Sequence, residues 1–114
     1  MSNNIILTKT FNFSIEIIHL YMELLKHKEF VLSKQVLRAG TSIGANVEES
    51  VGALTRKDFI NKMTISYREA RETRYWLRLL EASKIVNFDF SKYINESEEI
   101  IKILSSIIKT SKGD

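Results

Sequence analysis

Arg68, Arg71, Arg74 and Arg78 recur at steps of three and four residues, with Tyr67 and Tyr75 interleaved. On a helix the four arginines fall within an arc of about 120°. Guanidinium groups hold phosphate oxygens bidentately and stack on flat rings. Such a row suits the backbone of RNA or DNA, with charge rather than base identity providing the attraction. The surrounding segment carries the same sign. Between Arg56 and Lys84 there are eight basic residues, at 56, 57, 62, 68, 71, 74, 78 and 84, against four acidic ones, at 58, 69, 72 and 81.

Two further rows are polar. Arg38, Ser42, Asn46 and Glu49 share an arc of about 80° on one helix, and Asp58, Lys62, Glu69 and Glu72 form a comparable row on the next, together with Ile65 and Trp76. Alternating charges on two adjoining helices make a network of ion pairs and hydrogen bonds, between helices or between subunits, that specifies register. A small all-α enzyme of the chorismate-mutase type is the alternative, with Arg38 and Lys62 clamping a dicarboxylate. Glu49, Glu69 and Glu72 on the same rows would neutralise that clamp.

Other chemistries lack their parts. Gly40-Thr-Ser-Ile-Gly44 has no following Gly-Lys-Ser/Thr and no preceding strand, so it is no phosphate-cradling loop. Glu16-x-x-His19 has the spacing of half a carboxylate di-iron site, but His27 has no glutamate three residues before it, and no second half exists. His19 lacks the neighbours of a phosphotransfer histidine. Neither Ser42 nor Ser50 has a histidine placed to activate it. No catalytic residue, metal ligand or cofactor site is assigned, and the chain is read as a non-enzyme.

The elements that position these rows are helices. The chain has 114 residues, no proline and four glycines, which removes the usual punctuation of hairpins. Apolar spacing predicts an all-α, antiparallel up-down-up-down four-helix bundle filling a single domain over 1–114, with helices at 4–27, 33–53, 56–84 and 89–111. The seams are Phe11, Ile15, Ile18, Met22 and Leu25; Val36, Gly40, Ile43, Val47, Ser50 and Leu54; Phe59, Met63, Ser66, Ala70, Thr73, Leu77 and Leu80; and Phe90, Ile94, Ser97, Ile101, Leu104 and Ile108. Ser33, Thr55 and either Asn87 or Asp89 are the expected caps. Glycine within a helix costs about 1 kcal/mol against alanine. Gly40 and Gly44 therefore call for a close neighbour, and the small Ser66, Ala70 and Thr73 of the third helix are the natural one.

Ile17, Leu20 and Leu24, Ile65, Trp76 and Leu79, and Ile100, Ile103 and Ile107 fall off these seams. That much second-face apolar surface favours a homo-oligomer. The chain has no cysteine, in keeping with a reducing cytoplasm, and no apolar run of the length that spans a membrane. Ile5-Ile6-Leu7 is too short for a secretory signal. The net charge of +3 permits a nucleic-acid partner without requiring one.

Gln35-x-x-Arg38-x-Gly40-Thr-Ser-Ile-Gly-Ala-Asn-Val-x-Glu49, then Asp58-Phe59-x-x-Lys62, then Glu69-Ala70-x-Glu72-Thr73-x-Tyr75-Trp76-Leu77 together resemble the four-helix bundle proteins related to those encoded by intervening sequences of bacterial 23S ribosomal RNA genes. The likeness is close over 33–84 and extends in helix lengths to nearly the whole chain. It implies an antiparallel bundle assembled into a pentameric ring, and it does not imply an enzyme. A relative with this bundle, the accessory protein of diversity-generating retroelements, uses a basic surface to engage nucleic acid and a reverse transcriptase. The expectation is thus a cytoplasmic, non-enzymatic homo-oligomer that binds RNA or DNA, or adapts a protein partner, through the arginines of the third helix. A scaffold that binds only protein is the remaining alternative.

Overall fold

The computed structural model describes residues 2–113, so the outer domain bounds 1 and 114 lie outside the described residues. Four helices, α1 (Ser2–Lys26), α2 (Leu32–Val51), α3 (Arg56–Ser83) and α4 (Ser91–Ser111), make up the fold, and no strand occurs among the described residues. None of the described helices is long and apolar enough to cross a membrane.

The helix ends are fixed by local hydrogen bonds. Lys28 takes the left-handed conformation at φ 62°, and the Glu29 amide reaches back to the Leu24 carbonyl at 2.9 Å, closing α1. Ser33 was expected to cap α2. It lies buried inside the helix, and the Glu29 carboxylate caps instead, accepting from the amides of Val31, Leu32 and Ser33 at 3.3, 3.1 and 2.5 Å. A carboxylate suits the positive end of a helix as well as a hydroxyl does. Thr55 caps α3 as expected, its hydroxyl accepting from the Asp58 amide at 3.0 Å. At α4 the Asp89 carboxylate accepts from the Ser91 amide at 3.0 Å, while the Phe90 amide donates to Glu81 of α3 at 2.9 Å. The Ser91 hydroxyl and amide together hold the Asp89 carboxyl below its ordinary value.

Each helix packs on its neighbours in the chain, and α1 also meets α4; the backbones of the diagonal pairs, α1 with α3 and α2 with α4, stay apart among the described residues. The core draws Phe13, Ile17, Leu20 and Leu24 from α1, Val36, Ile43 and Val47 from α2, Met63, Leu77 and Leu80 from α3, and Phe90, Ile100 and Leu104 around α4. Burying a side chain of this size contributes about 1.5–3 kcal/mol.

This overturns the seam expected for α1. Phe11, Ile15, Ile18 and Met22 face outward, and the off-seam residues Ile17, Leu20 and Leu24 fill the core. Both rows have helical spacing, so spacing alone could not choose between them. On α4, Ile100 and Ile107 are likewise buried, with Ile94, Ile101 and Ile108 partly so. Leu54 falls outside α2 and is exposed. The seam of α3 is as expected, except that Phe59 is only partly buried.

The two glycines also meet a different neighbour. Gly40 lies against Ile17, and Gly44 against Thr10 and Ser14, so the close approach is between α2 and α1. The small middle of α3 still reaches α2: the buried Ser66 hydroxyl donates to the Ile43 carbonyl at 2.8 Å.

Candidate nucleic-acid interface

Helix α3 presents its arginines on the side turned toward α4, and a cleft of about 520 Å³ lies between the two helices. Arg71, Arg74, Arg78 and Lys102 line it with Tyr75 and the single carboxylate Glu98. Four cations against one anion make this a positive trough. Arg74 Nε donates to Glu98 at 2.8 Å, which steadies the trough floor and neutralises one charge. Arg71 sits 5.8 Å above the Tyr67 ring centroid and donates to the Tyr67 hydroxyl at 3.2 Å, so its guanidinium is held over the rim. Tyr75 is exposed and meets Trp76 edge-on, with ring centroids 5.3 Å apart.

Of the four arginines singled out in the sequence, three converge on this cleft. Arg68 is exposed on α3 outside it. Lys102 and Glu98 were missed. They are spaced i, i+4 on α4, and facing α3 with α4 in opposite directions would have brought Glu98 opposite Arg74 and Lys102 opposite Arg71.

The polar rows resolve into separate pieces. Arg38 bridges α2 to α3, pairing with Glu72 and, at 3.4 Å, with Glu69, while its Nη2 and Nε also donate to Gln35. Glu72 in addition accepts from Trp76 Nε1 at 2.9 Å. Asn46 donates to the Ser42 hydroxyl at 3.1 Å and to the Ser42 carbonyl at 2.9 Å, within α2. Glu49, Asp58 and Lys62 line a hollow of about 400 Å³ where α2 ends and α3 begins, and none of them forms an ion pair among the described residues.

A third cluster joins α1 to α4. Lys9 pairs with Glu99, and Lys92 Nζ stands 3.6 Å from Glu16. The Glu96 carboxyl is pushed up to about 7, first by burial and then by its hydrogen bond to Glu16 and that residue's negative charge. His19 is exposed, and no group of three or more His, Cys, Asp or Glu residues is placed to hold a metal among the described residues.

These features define an all-helical, four-helix protein with a cationic trough along one edge and an ion-paired ridge along another. The chain belongs to the 23S rRNA-intervening sequence protein family, whose profile matches residues 2–106. It is similar over 96% of its length, at 47% identity and a TM-score of 0.91, to 99% of a protein with unknown function from the S23 ribosomal protein family of Bacteroides thetaiotaomicron VPI-5482, a structure solved by crystallography. No curated protein matches the chain.

Proposed function

We propose that this protein is a non-enzymatic, cytoplasmic homo-oligomer that holds the phosphate backbone of RNA or DNA in the trough between α3 and α4. The convergence of Arg71, Arg74, Arg78 and Lys102 on one cleft carries the reading. Arginine forks and a lysine on rigid helices neutralise phosphates and release counterions, which gives affinity with little base preference.

The pairings of 40 with 17, 66 with 43, 74 with 98 and 9 with 99 run in opposite directions along neighbouring helices and support an antiparallel up-down-up-down bundle as a single domain. The outward apolar row of α1 supports self-association, and a pentamer is the assembly that the family resemblance favours. A dicarboxylate-binding enzyme is disfavoured, since Arg38 is occupied by Glu69 and Glu72.

Fluorescence anisotropy of labelled RNA and DNA tests the proposal. With three phosphates neutralised, affinity falls roughly 20- to 40-fold between about 50 and 200 mM salt. Replacing Arg71, Arg78 and Lys102 together by alanine removes most of that binding and flattens its salt dependence. Absence of binding at the lower salt, or binding untouched by the triple replacement, refutes it. A protein captured equally well after nuclease treatment would favour the protein-only scaffold.

A further inference from the structure

The arginine trough does not end at Lys102. A second hollow, of about 510 Å³, adjoins it along α4, and the two share Ile101 and Lys102 in their linings. Ser105, Ser106 and Lys109 of α4 and Tyr67 of α3 line the continuation. From Glu98 to Thr110 the combined groove runs about 18 Å along α4, so it holds roughly five nucleotides at about 3.4 Å each. Its lining is not only cationic. Tyr75, 53% exposed, stands in the first hollow and Tyr67, half-buried, in the second, about 12 Å apart along α3. Trp76 braces Tyr75 at a ring-centroid distance of 5.3 Å, and Arg71 lies over the Tyr67 ring. Ile101, partly buried, adds an apolar surface common to both hollows.

We infer that this groove takes a single strand of RNA or DNA, its phosphates on the cations of both walls and its bases stacked on the tyrosine rings. The inference rests on the nucleic-acid reading proposed above and narrows the ligand to an unpaired strand. Three observations select it. Phosphate contacts alone need no rings, yet the groove presents an exposed phenol at Tyr75 and a flat guanidinium held over Tyr67, both surfaces on which a base stacks. In a duplex the flat faces of the bases are covered by their neighbours. Tyr67, Tyr75 and Ile101 would then meet only sugar and phosphate. Width argues the same way. Packed helices such as α3 and α4 run with axes roughly 8–10 Å apart, whereas the major groove of a duplex alone is about 12 Å wide. One backbone can enter between them, and two can only rest on the rims. Finally, cations stand on both walls, Arg71, Arg74 and Arg78 on α3 and Lys102 and Lys109 on α4, so an entering strand is flanked along its length. Every base has a flat face, so the groove distinguishes unpaired from paired strands and not one sequence from another.

The test compares three ligands built on the same backbone. Labelled oligonucleotides of about sixteen nucleotides are titrated against the full-length protein by fluorescence anisotropy at about 50 mM salt. One is an unstructured single strand, one a blunt duplex of the same sequence, and one an abasic strand that keeps the phosphates and lacks the bases. Charge alone favours the duplex, whose phosphates are about twice as dense along the axis. Stacking reverses that order, and the single strand binds roughly tenfold tighter than either the duplex or the abasic strand. Tyr75→Leu keeps an apolar side chain at an exposed position and removes the ring. It loses roughly tenfold in single-strand affinity at an unchanged salt slope and leaves duplex binding unaltered, while Tyr75→Phe behaves as the parent. A duplex or abasic strand bound as tightly as the single strand overturns the inference and leaves the backbone reading standing. So does a Tyr75→Leu variant that weakens single strand and duplex alike. Absence of binding by all three ligands overturns both.

Discussion

Gly40 of α2 lies so near Ile17 of α1 that a Cβ at position 40 would stand 2.8 Å from Ile17 Cγ2 and 2.9 Å from Cγ1. Ile17 is fully buried and branched at Cβ, so those atoms cannot swing aside. Gly40→Ala would gain about 1 kcal/mol of helix propensity. Forcing the helices apart costs about 1–3 kcal/mol. The overlap therefore decides the sign, and urea denaturation shows net destabilisation. Paired with Ile17→Ala in a double-mutant cycle, the two losses sum to less than their separate values; strict additivity would mean the overlap is not the cause.

Across the opposite face of α2, the Ser66 hydroxyl donates to the Ile43 carbonyl at 2.8 Å in a fully buried setting. Ser66→Ala loses about 1 kcal/mol, since the carbonyl retains its helical partner. Ser66→Val loses more, because extra volume must enter a fully buried contact between α3 and α2. A valine variant as stable as the alanine variant in chemical denaturation would contradict this order.

Glu96 makes stability fall with pH in a range where most carboxylates do not. Its folded-state value of about 7 lies above the ordinary 4.5, so the folded protein keeps a proton that the unfolded chain releases between these values. The contribution is fully favourable below 4.5 and is lost as pH rises through 7. Glu16 and Lys9 face the group from α1, and Lys92 from its own helix. Glu96→Gln mimics the protonated form and stabilises the protein at pH 8 by about 1 kcal/mol, once solvent screening at this part-exposed site is allowed for. At pH 4 the variant and the parent melt alike; a gain of equal size at both pH values would assign the effect to something other than this proton.

Glu98 is the single anion of the trough, and its partner Arg74 is the least available of the three arginines there. Glu98→Gln frees that charge. Anisotropy titrations then show tighter RNA and DNA binding by roughly three- to tenfold and a salt slope steeper by about one contact. Weaker binding would mean that Glu98 serves by positioning Arg74.

The helices, the seam of α3 and the Thr55 cap were legible in the sequence, because each depends on residues close along the chain. The facing of α1 was not. Ile17, Leu20 and Leu24 and the row from Phe11 to Met22 are equally apolar, and a helix greasy on two sides has no amphipathic signal pointing to its core. The glycines announced a close approach, but only the fold determines that Ile17 rather than Ala70 is the neighbour. The arginines stood out as a row, and Arg38 opposite Glu69 and Glu72 was foreseeable from two rows of alternating charge. Lys102 and Glu98 became visible only with α4 laid beside α3, since a cleft belongs to a pair of helices and to neither alone.

The seam between α1 and α4 joins residues near the two ends of the chain, with Lys9 against Glu99 and Lys92 beside Glu16. Every other helix pairing is between neighbours linked by a few residues, so three of the four contacts need little loop closure while the last must enclose all of α2 and α3. During synthesis α1, α2 and α3 can dock in order as they emerge. The arginine trough, which needs α4, is then completed only once α4 has emerged, so a chain cut before α4 lacks Glu98 and Lys102 and leaves Arg71, Arg74 and Arg78 on an open helix face.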